Sequence, residues 1–242
     1  MFPILRKEIN SFLSSLVAYI IMALFLTGMG LFIWVFPDYN VLDYGYADLS
    51  TLFSMAPYIF MFLIPAVTMR SFAEEKKGGT LELLLTRPLS DWDIILGKYL
   101  ACFLLILFTL LPTLIYYVSV YLLGNPEGNI DSAGVFGSYV GLLLLAAVFT
   151  AIGIFASSIS ENQIVSFIVA AFLCFLWFTG FSALASLSAT GTWTYLVGQL
   201  GLEYHYNALS KGLIDSRNVI YFLSVIALAL MATRLVLESR KW

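Results

Sequence analysis

The stretch RSFAEEKKGGTLELLLTRPLSDWD, residues 70–93, decides how this chain folds. Nine of its 24 residues are charged, yet it lies between two runs with no charge at all, Leu49 to Met69 and Tyr99 to Pro126. About 20 apolar residues in a helix cover the hydrocarbon thickness of a bilayer, so each flanking run can cross and the polar stretch becomes the loop between them. Its punctuation predicts its shape. Gly78 and Gly79 permit a sharp reversal, Thr80 is placed to cap a helix, and Pro88 ends that helix by Thr86, because a residue before proline avoids the α region. The result is one short helix of about two turns. Leu81, Leu84 and Leu85 share one face of it, with Glu82 turned away, and Ser90 with Asp93 forms an S-x-x-D capping box that starts the next span. The leucine face either tucks the loop under the bilayer or grips a cleft in a partner, where Glu74, Glu75, Lys76 and Lys77 would set the register.

Outward from this loop the same count finds three more charge-free runs, Asn10 to Pro37, Ser132 to Ser160 and Asn162 to Leu202. A shorter run of 16 uncharged residues lies between Arg217 and Arg234, enough if the two arginines extend to opposite interfaces. The 41 residues from Asn162 to Leu202 could hold two crossings, but one is favoured. Ile164 to Phe181 is densely apolar, whereas Ser186, Ser188, Thr190, Gly191 and Thr192 break the pattern. Trp193, Tyr195, Tyr204 and Tyr206, spaced around Gly198 and Gly201, suit one or two short helices that lie at the outer surface or re-enter slightly. At the start of the chain, Phe2, Leu5, Ile9, Phe12 and Leu16 recur at three- and four-residue steps opposite Arg6, Lys7, Asn10 and Ser14. That pattern predicts an amphipathic helix on the cytoplasmic leaflet. The 26 uncharged residues from Ser11 to Phe36 exceed a signal-peptide core and lack a small-x-small cleavage pattern, so they are kept as a span.

The expected fold is therefore an all-α integral membrane protein with a single transmembrane domain over residues 1–242. An interfacial helix occupies 1–10, and six transmembrane helices lie near 11–36, 50–70, 98–123, 134–159, 163–188 and 218–237. The cytoplasmic loop takes 71–97, and short outer helices, re-entrant or interfacial, fill 190–216 before the sixth span.

Charge sets the orientation. Six crossings put ten of the twelve lysines and arginines on one side and leave Lys211 and Arg217 on the other, with Asp38, Asp43, Asp48, Glu127 and Asp131. By the positive-inside rule both termini are cytoplasmic. A composition 61% hydrophobic and 11% charged, with net charge -3, excludes an ordinary soluble domain and gives no field to hold nucleic acid. Cys102 and Cys174 lie inside apolar runs and read as packing residues. His205, between Tyr204 and Tyr206, has no second ligand beside it and reads as a surface residue. The five longest runs lack the mid-membrane carboxylates and histidines of an ion-coupled carrier, and Ser157, Ser158, Ser160 and Ser166 lack the nearby base of an intramembrane enzyme. Serines and the glycines Gly137, Gly141 and Gly153 fit close helix packing.

The run Glu75-Lys76-Lys77-Gly78-Gly79-Thr80-Leu81-Glu82, followed by Leu84, Leu85 and Pro88, resembles the E-[KR]-x-x-G-T-L-E-x-L-L-x-x-P signature of type-2 ABC exporter permeases. The resemblance implies that the short helix is a coupling helix contacting an ATPase on another chain, with Glu74 added to that set. It further implies two ATPase subunits that carry the ATP and Mg, and no cofactor on this chain. A second permease copy or paralogue is implied beside them. An accessory membrane subunit with an outer domain is also implied, since Pro37 to Asp48 offers only a dozen residues where larger relatives carry a folded domain. The 125–131 loop, Asn-Pro-Glu-Gly-Asn-Ile-Asp, and the ending Glu238-Ser-Arg-Lys-Trp are most similar to the branch of that family associated with gliding motility in Bacteroidetes-type bacteria. No G-x-x-x-x-G-K-[ST] phosphate loop occurs in the sequence, so energy would come from the partner. Pro57, Pro65 and Pro112 read as kinks, either hinges or static bends. An ion-coupled carrier and a membrane anchor of an assembly complex are the alternatives.

Overall fold

The computed structural model describes residues 1–43, 45–81, 90–187, 192–212 and 214–239. Among them there is no strand, and six helices are long and apolar enough to cross a membrane. The spans, numbered in order, are Leu16–Trp34, Ser50–Lys77, Asp91–Leu123, Ser132–Ile159, Gln163–Leu187 and Ser216–Glu238. Polar residues mark where several of them begin. Ser15 accepts from the Val17 amide, Asp131 from those of Ala133 and Gly134, Asn162 from Ile164, and Asp215 from Arg217. Each satisfies a donor that the first helical turn leaves bare.

Burial ranks the spans. The fourth is 78% buried within the chain and the second and third 61% and 56%, against 22% for the first and fifth, so the fourth is the axle of the bundle. Small residues on it let neighbours approach. A Cβ at Gly153 would lie 2.1 Å from the Thr68 hydroxyl on the second span. At the acidic end, a Cβ at Gly137 would meet the Gly212 backbone at 2.8 Å, and one at Gly141 would meet Leu209 Cβ at 3.0 Å.

Several expected boundaries shift. The second span runs from Ser50 to Thr68, breaks at Met69 and resumes over Arg70–Lys77, so residues expected in the loop belong to a helical extension. Pro57 and Pro65 both lie inside its first part. The third span changes to a 3-10 turn over Leu111–Thr113, where Pro112 cannot donate. The fifth widens to a π turn over Leu176–Gly180 before ending with Phe181–Leu187. Two short helices follow it, Thr192–Gln199 and Leu202–Leu209, so among the described residues the long uncharged run contains one span-length helix.

The amphipathic helix, Phe2–Leu13, packs against the third span. Ile4 and Phe12 are buried, with Leu5 and Ile9 packed beside them, and Gly97 on the third span makes room: a Cβ there would touch Ile4 Cγ2 at 3.0 Å. Part of its apolar face is thus covered by the third span, while Phe2 and Leu13 stay exposed.

Candidate functional site

Beneath the second and third spans, at the basic end of the bundle, charged and hydroxyl side chains tie together the elements that carry the loop. The break at Met69 frees backbone groups inside the packed bundle, and Ser157 of the fourth span takes them up. Its hydroxyl accepts from the amides of Phe72 and Ala73 at 2.9 and 3.2 Å and donates to the Met69 carbonyl at 2.9 Å. Beside it the buried Lys76 donates its ammonium to the Ser158 carbonyl. The helical extension is thus fastened to the axle of the bundle at two successive residues.

A charge cluster fastens it from the other side. Lys98 of the third span, 1% exposed, lies 3.0 Å from Glu75 and 3.0 Å from Glu8 of the amphipathic helix. It also donates to the Ser71 carbonyl at 2.7 Å, and its ammonium lies 5.2 Å from the centroid of the Phe72 ring. Lys7 supplies the second cation, 3.1 Å from Glu75 and 3.7 Å from Glu8. Burial works to lower the Lys7 pKa, but Glu75 and Glu8 outweigh it and hold the ammonium above its ordinary value. Two carboxylates against two ammoniums leave the cluster without net charge, although Lys7 keeps its side chain 60% exposed while the other three are largely buried. Glu75 Oε2 nonetheless has no hydrogen-bond partner among the described residues. Arg70 adds a further contact to the same helix, its guanidinium 5.2 Å over the Phe12 ring.

The residues expected to form the coupling site divide into three groups. Glu74, Gly78, Gly79 and Thr80 are exposed at the tip of the extension, with Lys77. Glu75, Lys76 and Leu81 are turned inward: the first two are held as above, and Leu81, 4% exposed, joins the chain's own core. These three side chains have partners within the chain. Glu82, Leu84, Leu85 and Pro88 lie outside the described residues. Gly79 does make the reversal, with φ +65. The Thr80 hydroxyl donates to the Glu75 carbonyl at 3.3 Å, and the helix it is expected to cap falls largely on residues outside those described. The capping box of Ser90 and Asp93 is present.

Sequence reasoning missed Glu8, Lys98 and Ser157 as members of this site. Glu8 had a signal: it falls within the apolar arc of Ile4, Leu5, Ile9 and Phe12, and a carboxylate there demands a buried counter-charge. Also missed was the short turn after the fourth span, where an open recess of about 530 Å³ is bordered by Lys77, Glu161, Asn162, Gln163 and Ile164. Cys102 and Cys174 are both buried, Cys102 Sγ 3.4 Å from the Ser71 hydroxyl. His205 is more engaged than a surface residue, with Nδ1 2.8 Å from Asn218 Oδ1, Nε2 2.9 Å from the Gln199 carbonyl, and its ring stacked on Tyr221.

Six membrane-length helices, the fourth the most buried of them, with a charge-clamped loop at the basic end, define a multi-pass membrane protein. The sequence profile of the family described as ABC-2 family transporter protein matches residues 2–237. The chain belongs to that family and is the membrane subunit of an ABC transporter. No curated protein matches the chain.

Proposed function

We propose that this chain is the permease subunit of a bacterial ABC exporter, and that ATP hydrolysis by two separate ATPase subunits reaches it through the loop between the second and third spans. The observation that carries the reading is the clamp itself. The exposed tip at Glu74, Lys77 and Gly78 continues a helix whose root is bonded to the amphipathic helix through Lys7, to the third span through Lys98 and to the fourth through Ser157 and Ser158. A load applied at the tip cannot be absorbed by bending one flexible loop; it moves helices that are packed as a unit. ATP and Mg belong to the ATPase chains. The basic end faces the cytoplasm in this reading, with both termini, and the membrane is the inner one.

A second permease copy or paralogue would lie against the first and fifth spans, a reading supported by their sparse burial, 22% each, and by the apolar groove between them lined by Ile20, Leu24, Phe62 and Phe167. An accessory subunit with an outer domain, and a role in gliding motility, rest on the resemblance of the short first outer loop, the 125–131 loop and the chain's last residues. The test of coupling is a crosslink. With Glu74→Cys or Leu84→Cys in a complex that hydrolyses ATP, either cysteine joins the chain to the ATPase subunit; no crosslink from either position in a working complex defeats the proposal.

A further inference from the structure

Pro57 has no N–H, so within the second span the carbonyl of Phe53, four residues back, lacks the donor an unbroken helix would supply. A bare carbonyl among apolar helices is costly, and something must answer it. The answer comes from 153 residues further along the chain: the Tyr206 hydroxyl donates to the Phe53 carbonyl at 2.7 Å. Tyr206 sits on the short helix Leu202–Leu209 and is 2% exposed. That helix can come so close because Gly141 of the fourth span has no side chain to oppose Leu209. The Tyr206 ring centroid lies 6.1 Å from that of Phe178, in the π turn of the fifth span, and Phe178 meets Tyr58 at 6.0 Å. Phe53, Pro57, Tyr58, Phe178 and Tyr206 all border one cavity of about 560 Å³ at the acidic end of the bundle. A single hydroxyl therefore joins the proline bend of the second span to the short helix that walls this cavity.

We infer that Tyr206 is a positioning residue: by occupying the carbonyl that Pro57 leaves bare, it ties the outer short helix to the second span and holds the cavity wall closed until that span moves. The inference rests on the permease reading, in which the same span carries the push from the loop at its other end.

The experiment uses the full chain in proteoliposomes with Val135→Cys, a half-buried position on the cavity, as reporter for a membrane-impermeant maleimide; Cys102 and Cys174 are buried. Tyr206→Phe keeps the ring and removes the hydroxyl, and it raises the labelling rate about tenfold, the factor expected for losing one hydrogen bond to a buried acceptor. Pro57→Ala returns an N–H to the Phe53 carbonyl, so in that background Tyr206→Phe changes the rate by less than about twofold. If Tyr206→Phe fails to fold alone but folds together with Pro57→Ala, the carbonyl is again what Tyr206 serves. Labelling of Tyr206→Phe at the rate of the parent protein, the same factor in both backgrounds, or failure to fold in both overturns the inference. A reporter indifferent to ATP in membranes that contain the ATPase, with the hydroxyl effect intact, would count against the permease reading and leave the tie standing.

Discussion

Lys98 is the most deeply buried charged side chain among the described residues. It sits 1% exposed between two carboxylates, and Lys7, the other cation of the cluster, keeps its side chain 60% exposed. Replacing it with an apolar residue of similar length leaves Glu8 and Glu75 facing each other with only that half-solvated partner. We expect Lys98→Met to destabilise the fold by about 3–5 kcal/mol, the range for stranding a buried charge. Unfolding in mixed micelles measures it. Adding Glu8→Gln and Glu75→Gln to Lys98→Met should recover most of the loss, because the charges then leave together; a Lys98→Met protein as stable as its parent would show that the cluster does not hold these helices. The residue scale also shows the limit of local reading. Glu8 was visible as a carboxylate on an apolar arc, but its partner 90 positions away was not, because nothing in local periodicity says which helix will cover that face.

Among the elements, the second span has the most consequential shape. Its periodicity and length predict a crossing, and the charges after Met69 predict a loop. The helix continues instead to Lys77, since Ser157, Ser158 and Lys98 supply partners that let charged and broken backbone stay ordered. Its line depends on contact with the fourth span at Gly153, where a Cβ would fall 2.1 Å from the Thr68 hydroxyl. Gly153→Ala must displace Thr68 from its bond to the Ile64 carbonyl or push the spans apart, and we expect a cost of about 1–3 kcal/mol from overpacking. Thermal unfolding in detergent checks this, and Thr68→Ala in the same chain should restore part of the loss. An unchanged melting temperature for Gly153→Ala alone would mean that the two helices do not meet there as described.

For the molecule as a whole, the asymmetry of charge between its two ends makes a topological prediction. In intact cells Glu127→Cys and Lys211→Cys should react with an impermeant maleimide, while Glu74→Cys and Glu161→Cys should react only after permeabilisation; the reverse pattern would place the loop outside and remove any route to a cytoplasmic ATPase. The number of spans, the reversal at Gly78 and Gly79 and the capping box at Ser90 were determined by the sequence alone. Each depends on interactions within a few residues or on the fixed thickness of a bilayer, so a local reading suffices. The tertiary structure alone decided that Lys98 would join Glu8 to Glu75, that Ser157 would fill the break at Met69, and that Tyr206 would answer a carbonyl 153 positions earlier. Those contacts depend on which helix faces meet and how closely glycine lets them approach, and a buried polar group takes whichever partner that packing brings within reach.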